Sequence, residues 1–434
     1  MLNDAIHFLM DKSFYELLYF FWYAVVFDLT RYVLMDIVIL FYMLKKWEDR
    51  KDKLQARNKL FHENPLVSVI APGKNEGKHI PKLSAWLKRQ TYKNLEIIIV
   101  DDGSDDDTPE ICRRLLKQGA IDKFFRNDIR GGKASAANLA LRYTQGEYIV
   151  HLDADSHLRD DSIEQIITPF HMDAKIAGVG GDIRVRNQGD SIASSLQAIE
   201  YIKSISTGRI ITSTLGILRI ISGAYGAFRR EVLEQLKGWD VGPGLDGDIT
   251  VKIKKMGLKV VHEPEAICYT NVPSSFKKLA KQRFRWDRSL IRFRLRKHLD
   301  LLSLSNKNFT IQKFLMAFDN IFYNLILNFK WWIYFIQMVF FNTDVLHLVL
   351  LINYLFYLCA NFIELLVACF LFRNTIGKKE YLLFLYVPLM PIYHGLYMRL
   401  VRTYAQLMEL FHKISYEDAW NPWKVSKIAK KHKI

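Results

Sequence analysis

Hydrophobic and polar positions divide the chain into three blocks. Residues 14–44 are mostly apolar and aromatic, residues 65–261 mix short apolar runs with polar loops, and the chain is apolar again after about residue 301. The outer blocks are long enough for membrane helices, because a helix needs about 20 apolar residues to cross a bilayer. The pattern predicts a soluble domain between two membrane-associated regions.

The middle block has the pattern of an α/β domain. Short apolar runs at residues 66–71, 95–100 and 148–152 each end in a loop of Gly, Asp or Asn, and helical patterns lie between them at residues 108–118 and 134–143. Strands that alternate with helices of this length predict a mostly parallel sheet. Ligands bind beyond the carboxyl ends of such strands, so we expect the loops that follow them to form a ligand site.

Charged residues interrupt the N-terminal apolar block. They are Glu16, Asp28, Arg31 and Asp36. Because charges are costly at the centre of a bilayer, we expect residues 14–27 to be amphipathic or partly inserted and residues 29–44 to be the better buried half. A single tilted helix and a tight pair of helices both fit. The basic segment that follows Leu44 is expected in the cytosol.

The C-terminal block predicts membrane segments at residues 314–341, 345–372 and 381–396. Its charged exceptions are Asp319, Lys330, Glu364 and Arg399. They indicate either snorkelling and pairing between helices or the lining of a polar conduit. Basic residues flank the last segment on both sides, so this segment, with Pro388 and Pro391, is expected to be re-entrant or interfacial.

The formal net charge of +16 fits nucleic acid, anionic lipid or a polyphosphate ligand. The cations cluster beside apolar segments, as in membrane proteins, so nucleic acid is not expected as a partner. The four cysteines are widely spaced and predict no disulfide framework. The N-terminus lacks the features of a cleaved signal peptide, so the first apolar segment is expected to remain.

These patterns predict five parts. They are an N-terminal membrane anchor with a basic linker (1–60), a cytosolic α/β domain (61–270), amphipathic interface helices (271–313), a C-terminal transmembrane block (314–412) and a basic cytosolic tail (413–434). The predicted location is the cell membrane with several spans, which is the inner membrane in a Gram-negative cell. Anionic lipid headgroups are the expected partner of the interface helices.

Acidic residues follow each of the three strands. Glu76 lies in the loop after the first strand, Asp101 and Asp102 end the second, and Asp153 and Asp155 follow the third. An Asp-x-Asp sequence beyond a buried strand suits Mg²⁺ or Mn²⁺ that bridges a diphosphate, because hard cations prefer carboxylate oxygens. One such loop is weak support, whereas three in one domain are much stronger.

Together with the sequence QRFRW at residues 282–286, these motifs resemble the inverting family 2 glycosyltransferases. The resemblance covers residues 67–286, and the processive synthases of cellulose, chitin, hyaluronan and poly-N-acetylglucosamine are similar in layout. It implies a GT-A-type fold and an enzyme that polymerises a β-linked polysaccharide from UDP-GlcNAc or UDP-glucose and helps to export it. Transfer of one sugar to a lipid or lipid-linked acceptor is an alternative, and an inactive nucleotide-binding scaffold is a remote one.

The resemblance implies a role for each donor-site residue. Glu76 and either Asp101 or Asp102 would hold the uridine, because carboxylates accept hydrogen bonds from uracil N–H and ribose hydroxyl groups. Lys133 would meet the nucleotide, although an ordinary solvated lysine at the start of a helix is the alternative. The Asp-x-Asp at residues 153–155 would contribute Asp153 to the nucleotide or ribose and Asp155 to Mg²⁺ or Mn²⁺.

The QRFRW sequence predicts a helix on which Gln282, Arg285 and Trp286 share one face. This face would offer an amide and a guanidinium to the diphosphate and an indole to the sugar, while Arg283 is expected to be lipid-facing or structural. The basic residues around it are expected beside anionic lipid. They are Lys277, Lys278, Lys281, Arg288, Arg292, Arg294, Arg296 and Lys297.

Direct displacement at the anomeric carbon requires a general base. The resemblance places it in an acidic sequence before a helix, and residues 244–250 read GLDGDIT here. Asp248 stands at the position of the catalytic aspartate of the family and is the expected base. Gly247 replaces the preceding glutamate, so either Asp246 supplies the lost carboxylate or the site is tuned differently.

Residues 222–228 resemble the loop that forms the acceptor site in these enzymes. The expected acceptor contacts are Ser222, Gly223, Tyr225, Asp246 and Trp286. Small residues let a sugar approach the backbone, and an aromatic ring gives it a stacking face; a plain strand and turn is the alternative. The expected partners are the UDP-sugar, the growing glycan and the bilayer, and accessory membrane or export subunits and a homo-oligomer remain open.

Overall fold

The centre of the chain folds into an eight-stranded, mostly parallel sheet. The computed structural model describes residues 2–240, 244–305 and 309–416, so most of the predicted basic tail, residues 417–434, lies outside it. The strands are β1 Val67–Gly73, β2 Leu95–Asp102, β3 Lys123–Asn127, β4 Tyr148–Leu152, β5 His157–Leu158, β6 Ile176–Val185, β7 Tyr225–Arg229 and β8 Lys259–Thr270. Their order is β3-β2-β1-β4-β7-β6-β8-β5, in which β7 is antiparallel to β4 and β6, and β5 is antiparallel to β8. The predicted α/β fold is confirmed.

Helices surround the sheet and form separate blocks at both ends of the chain. They are α1 Leu2–Asp11, α2 Phe14–Tyr23, α3 Thr30–Glu48, α4 Arg50–Glu63, α5 Ile80–Arg89, α6 Thr108–Lys117, α7 Lys133–Leu141, α8 Ser162–Met172, α9 Ile192–Glu200, α10 Gly208–Thr214, α11 Arg230–Gln235, α12 Leu245–Lys255, α13 Phe276–Ser289, α14 Ile311–Ile321, α15 Leu327–Phe341, α16 Leu346–Leu371, α17 Lys378–Tyr381, α18 Met390–Ile392 and α19 Arg399–His412. Wider π-helical segments are Ala24–Leu29, Tyr201–Thr207, Leu290–Lys297, Phe322–Ile326 and Tyr393–Met398. Tighter 3-10 segments are Leu299–Leu302, Leu382–Leu389 and Ile414–Tyr416.

Apolar side chains cover both faces of the sheet. Val67 and Val69 of β1 join a core with α4, α5, α6 and α8, whereas Ile70 of the same strand joins a core with α7, α11 and α12. Strands that are buried on both faces have continuous apolar sequences, which is why β1 and β2 stood out. Because β1, β2 and β4 are parallel neighbours, their carboxyl ends meet at one edge and bring the three acidic loops together.

Residues 14–48 form one continuous helix through the π-helical segment Ala24–Leu29. The single-helix alternative is therefore the one that the structure shows. Residues 311–341 are continuous in the same way, and residues 378–412 form a third long helical stretch. Pro388 lies in the 3-10 segment of that stretch, where a tighter turn accommodates its missing N–H group. The segment that was expected to be re-entrant or interfacial is thus part of a continuous helix.

Within the described residues, two helices are long and apolar enough to cross a membrane, Leu346–Leu371 and Lys378–His412. This agrees with a membrane-associated protein. Residues 14–48 and 311–341 do not reach the same combination of length and hydropathy, and both carry charged residues. The structure therefore gives no support to the larger number of spans that the sequence predicted.

The basic residues of the interface helices contact protein more than expected. Arg288, Arg292 and Arg294 are buried. Arg296 pairs with Glu409 of α19 at 2.7 Å. The exposed ones are Lys277, Lys278 and Lys281. The expectation that the whole set faces anionic headgroups is corrected for the buried arginines, because burial against the protein keeps them from the lipid.

Candidate active site

A cavity of about 1200 Å³ lies beyond the carboxyl ends of β1, β2 and β4. The predicted site residues that line it are Glu76, Asp102, Lys133, Asp153, Asp155, Ser222, Gly223, Asp246, Gln282, Arg285 and Trp286. Asp101, Tyr225 and Asp248 are described but do not line it. The fold therefore brings most of the predicted donor and acceptor residues to one place.

Asp101 and Asp102 end β2 and point in different directions. Asp102 lines the cavity, and its two carboxylate oxygens accept hydrogen bonds from the backbone N–H groups of Gly131 and Gly132, both at 2.8 Å. Asp101 is buried, and its Oδ1 accepts the backbone N–H of Ser104 at 3.0 Å. Successive side chains of a strand alternate between faces. Asp101 therefore shapes its own turn, while Asp102 fixes the loop before α7.

Lys133 is the first residue of α7 and joins two loops of the cavity. Its ammonium group pairs with the carboxylate of Asp153 and donates a hydrogen bond to the carbonyl oxygen of Gly223 at 2.9 Å. Burial lowers the pKa of Lys133, but the carboxylates of Asp153 and Asp246 outweigh it and raise the pKa overall. Lys133 therefore stays charged between the acidic loops and is not an ordinary solvated lysine.

Glu76, Asp153 and Asp155 form an acidic side of the cavity. Burial, and then the negative charges of Asp155 and Asp153, raise the pKa of Glu76 to about 7. Burial and the charge of Asp153 also raise the pKa of Asp155. Neighbouring buried carboxylates disfavour one another's ionised form, and a cation relieves this cost. The side chains present here thus fit a divalent cation.

The described residues contain no group of three or more His, Cys, Asp or Glu side chains that could hold a metal ion by themselves. This is compatible with Mg²⁺ or Mn²⁺, since Mg²⁺ usually takes only one or two protein carboxylates and completes its shell with water and substrate phosphates. The predicted metal residue, Asp155, remains a candidate on this basis.

Asp246 contacts the predicted acceptor loop, residues 222–228, at Gly223. The backbone N–H of Gly223 donates a hydrogen bond to Oδ2 of Asp246 at 2.9 Å. A Cβ atom on residue 223 would lie 2.9 Å from the same oxygen, so a side chain there requires the carboxylate to move. Because Gly223 has no side chain, the Asp246 carboxylate can lie against its backbone N–H in the cavity.

Asp248 points away from the cavity. Asp246 and Asp248 both lie in the first turn of α12, and two residues apart on a helix they face nearly opposite directions. Oδ1 of Asp248 lies 2.7 Å from Nε2 of His298 and 2.9 Å from Nζ of Lys297. Burial opposes ionisation of Asp248, but His298, Lys297 and Lys252 outweigh it and lower its pKa. The structure does not bring the expected base to the acceptor loop.

Gly247 stands where the resemblance leads one to expect glutamate. A Cβ atom there would lie 3.0 Å from Nη2 of Arg294. Arg294 is itself buried and donates a hydrogen bond to the backbone carbonyl of Arg219. A side chain at residue 247 would therefore require the guanidinium group of the buried Arg294 to shift by a few tenths of an ångström.

Tyr225 belongs to the protein core. It is the first residue of β7, is fully buried, and donates its hydroxyl hydrogen bond to the carbonyl oxygen of Ser162 at 2.7 Å. The stacking face expected from Tyr225 is therefore not offered to the cavity. Ser222 and Gly223, at the start of the same loop, do line it.

Helix α13 presents the predicted face to the cavity. Gln282, Arg285 and Trp286 all line it, as their i, i+3 and i+4 spacing requires. Oε1 of Gln282 is buried and has no hydrogen-bond donor within the described residues. Arg283 is buried on another side of the helix, where it pairs with Glu200 at 2.9 Å. Of the two roles expected for Arg283, the structural one is observed.

Glu200, Lys203 and Arg209 also line the cavity, although the sequence motifs did not point to them. They come from α9, the π-helical segment Tyr201–Thr207 and α10. Burial lowers the pKa of Arg209 to about 10. These residues lie in an ordinary helical pattern and belong to no motif, so the sequence offered no signal that would have found them.

The same cavity continues between the helical blocks. Its lining there includes Asp28, Arg31, Tyr323, Asn328, Trp331, Glu364 and Arg399. Lys203 pairs with Glu364, and Nη1 of Arg219 lies 3.2 Å from the carboxylate of Asp319. Asp319 and Glu364 thus pair with neighbours and line the cavity at the same time.

The sequence that forms most of this domain matches a known protein family. Residues 68–237 match the model for glycosyl transferase family 2. The chain carries a family 2 glycosyltransferase domain. The matched residues end before α12 and α13. The positions of Asp246 on α12 and of Gln282, Arg285 and Trp286 on α13 are therefore known from the structure and not from the family match.

Relatives of the glycosyltransferase domain include two staphylococcal proteins. A poly-β-1,6-N-acetyl-D-glucosamine synthase of Staphylococcus epidermidis is 32% identical over 222 residues, which cover 51% of this chain and 53% of that protein. The enzyme of the same name from Staphylococcus aureus strain COL is 31% identical over 216 residues, which cover 49% of this chain and 51% of that protein. The chain thus spans about half the length of the curated relatives that it matches.

The glycosyltransferase fold extends beyond the family match. A mannosyltransferase from Pyrobaculum calidifontis, solved in complex with GDP-mannose and Mn²⁺, superimposes with a TM-score of 0.56 at 19% sequence identity. The alignment covers 87% of this chain and 99% of that one. This likeness confirms the predicted GT-A-type fold.

Proposed function

We propose that the protein is an inverting glycosyltransferase that extends a β-linked polysaccharide from a UDP-sugar, with UDP-GlcNAc as the donor. One observation carries the proposal: a single cavity combines the acidic donor side, the Asp246 carboxylate and the α13 face. The names of the staphylococcal relatives support N-acetylglucosamine as the transferred sugar. UDP-glucose is the other donor to test.

The donor nucleotide occupies the edge formed by β1, β2 and β4. Asp102 fixes the loop around the uridine, and Asp153 accepts hydrogen bonds from ribose or base. Arg285 and Gln282 face the diphosphate, where a guanidinium stabilises the charge that develops on the leaving group. Lys133 supplies a further positive charge at the junction of the donor and acceptor loops.

Asp155 would hold Mg²⁺ or Mn²⁺, with Glu76 and Asp153 beside it. When bound, the ion neutralises charge on the leaving diphosphate. The raised pKa values of Glu76 and Asp155 indicate a place where cation binding is favoured. The Pyrobaculum mannosyltransferase, which shares the fold, was solved with Mn²⁺, and this supports the use of a divalent cation in general.

We assign the general base to Asp246. Its Oδ2 is held by Gly223, and its carboxylate takes the proton of the acceptor hydroxyl as that oxygen attacks the anomeric carbon. The bond between the anomeric carbon and the diphosphate breaks, UDP leaves, and the configuration inverts, so an α-linked donor gives a β-linked product. Asp248 instead ties α12 to His298 and Lys297.

We place the protein in the cell membrane, with several spans and with the catalytic domain in the cytosol. The two apolar helices support a location in the membrane, and the basic segment after Leu44 supports a cytosolic catalytic domain. The cavity runs from the Asp246 carboxylate to side chains of the helical blocks such as Asn328 and Trp331. Amide and aromatic side chains suit a passing glycan, which supports export between the helices.

The proposal is tested by UDP release from the purified full-length protein in detergent, with Mg²⁺ or Mn²⁺ and a panel of UDP-sugars, and with the product sized on a gel. Long product from UDP-GlcNAc supports the proposal. A product extended by one sugar on a lipid acceptor favours the non-processive alternative. UDP binding without transfer from any donor contradicts the proposal and favours the inactive scaffold.

A further inference from the structure

Arg283 lies at the junction of three helical elements. It belongs to α13, is 7% exposed, and its Nη2 pairs with Oε2 of Glu200 at 2.9 Å. The hydroxyl of Tyr393 donates a hydrogen bond to the same Oε2 at 2.8 Å. Glu200 ends α9 of the catalytic domain, and Tyr393 lies in the helix formed by residues 378–412. One carboxylate thus ties α13 to both the catalytic domain and an apolar helix.

Arg283 also contacts the aromatic ring that faces the cavity. Its guanidinium carbon lies 4.4 Å from the centroid of the Trp286 ring, within the range of a cation–π interaction. Trp286 is 43% exposed and lines the cavity, so Arg283 supports an indole that is still open to a ligand. A planar guanidinium that is itself held by a carboxylate restricts the ring more than a mobile cation does.

The helix that carries the supported indole lies close to the start of α12, which carries the proposed base. Gly244, which precedes α12, approaches α13 so closely that a Cβ atom on it would lie 2.7 Å from Cβ of Ser289. Ser289 lies three residues after Trp286 and donates its hydroxyl hydrogen bond to the Trp286 carbonyl oxygen at 2.6 Å. The helix that carries the indole therefore passes directly by the start of the helix that carries Asp246.

We propose that Arg283, held by Glu200 and Tyr393, positions the indole of Trp286 as a stacking face for the acceptor sugar. The inference rests on the proposed function. Because Tyr393 belongs to a helix that is long and apolar enough to cross a membrane, the acceptor site is assembled in part by that helix. Loss of the Tyr393 or Glu200 contact to Arg283 therefore changes the support of the Trp286 ring and, through it, the binding of the acceptor.

The test uses the full chain with UDP-GlcNAc as donor and short β-linked GlcNAc oligosaccharides as acceptor. In Tyr393→Phe and Glu200→Gln, the KM for the oligosaccharide and its dissociation constant from calorimetry should rise about three- to tenfold. The KM for UDP-GlcNAc and the affinity for UDP should stay unchanged. The matched control is Tyr397→Phe, because Tyr397 joins the same helices through the carbonyl oxygen of Phe276 at 2.5 Å and does not line the cavity.

A double-mutant cycle separates positioning from general stability. If Glu200 acts through Trp286, Glu200→Gln should add little to the acceptor defect of Trp286→Ala, because residues that work as one unit are not additive. Additive losses, or equal losses for donor and acceptor, contradict the inference. Oligosaccharide affinity that is unchanged in Tyr393→Phe and Glu200→Gln also contradicts it, even where transfer is normal. A wild-type protein that binds the oligosaccharide but transfers no sugar contradicts the proposed function instead.

Discussion

The backbone N–H of Gly223 and Oδ2 of Asp246 lie 2.9 Å apart, which joins the loop before β7 to the first turn of α12. Residue 223 has no side chain to separate the two elements. The carbonyl oxygen of the same glycine accepts a hydrogen bond from Lys133 at 2.9 Å. Gly223 therefore links the proposed base, Asp246, to Lys133, whose ammonium group pairs with Asp153.

The first prediction concerns the base. Asp246→Asn keeps the size of the side chain but removes its ability to take a proton, so kcat should fall by about 10²- to 10⁴-fold. Binding of UDP should remain, because Asp246 contacts Gly223 of the loop that we assign to the acceptor. Single-turnover transfer and UDP calorimetry measure the two effects. An unimpaired kcat in this variant would remove Asp246 from the mechanism.

The second prediction assigns Asp248 to stability. Asp248→Asn leaves Lys297 and His298 beside a neutral group, and loss of one partner of a buried pair costs roughly 3–5 kcal/mol of unfolding free energy. Thermal unfolding in detergent measures this loss. At a temperature where the variant stays folded, kcat should remain measurable. A normal unfolding temperature with complete loss of transfer would restore Asp248 as the base.

The pairing of Asp248 with Lys297 and His298 also predicts how the stability of the protein depends on pH. The pKa of Asp248 is lower in the folded chain than the value of about 3.9 expected for an unfolded aspartate. Its contribution to stability is therefore present above about pH 4 and is lost as the pH falls through the folded-state pKa. Compared with Asp248→Asn, the wild-type protein should lose more unfolding free energy on acidification. Equal losses in both proteins would contradict the assigned pairing.

The third prediction tests the close approach at Gly223. Gly223→Ala places a Cβ atom 2.9 Å from Oδ2 of Asp246, so the carboxylate must move. A small displacement of a reacting group can cost up to about 100-fold in rate, and kcat should fall accordingly. The control is Gly377→Ala, where the nearest atom lies 3.5 Å from the new Cβ. Similar kcat values for the two variants would show that the contact does not matter.

The fourth prediction concerns cation binding. Because burial and the neighbouring carboxylates raise the pKa of Glu76 to about 7, a proton competes with a cation at this place. Mn²⁺ affinity in the presence of UDP should therefore increase as the pH rises from about 6 to about 8. Electron paramagnetic resonance of free Mn²⁺ measures it. Glu76→Gln should flatten the profile, whereas Glu110→Gln, on the exposed face of α6, should not. Identical profiles for all three proteins would exclude Glu76 from the response.

The fold was predictable because its signals are local. Continuous apolar runs such as that of β2 mark strands buried on both faces, and the acidic loop after each strand marks the edge where ligands bind. The long helix of residues 378–412 was harder to predict. The basic residues on both sides of its apolar part predicted a re-entrant or interfacial element, whereas the structure shows a continuous helix with a tighter 3-10 turn at Pro388.

The candidate site was predictable in composition and less so in orientation. Sequence spacing correctly grouped Gln282, Arg285 and Trp286 on one helix face. It could not show that α12 begins at Leu245, which turns Asp246 toward the cavity and Asp248 toward His298. Two positions along a helix differ by nearly half a turn, so their side chains face nearly opposite directions. Resemblance to a motif does not show which of the two positions faces the cavity.

Inverting transfer with Asp246 as the base is tested most directly by nuclear magnetic resonance of the linkage that the full-length protein forms from UDP-GlcNAc and a β-linked GlcNAc oligosaccharide. We expect a new β-anomeric signal that grows with UDP release in the wild-type protein and is absent in Asp246→Asn. An α-linked product, or no transfer by the wild-type protein, would contradict this mechanism.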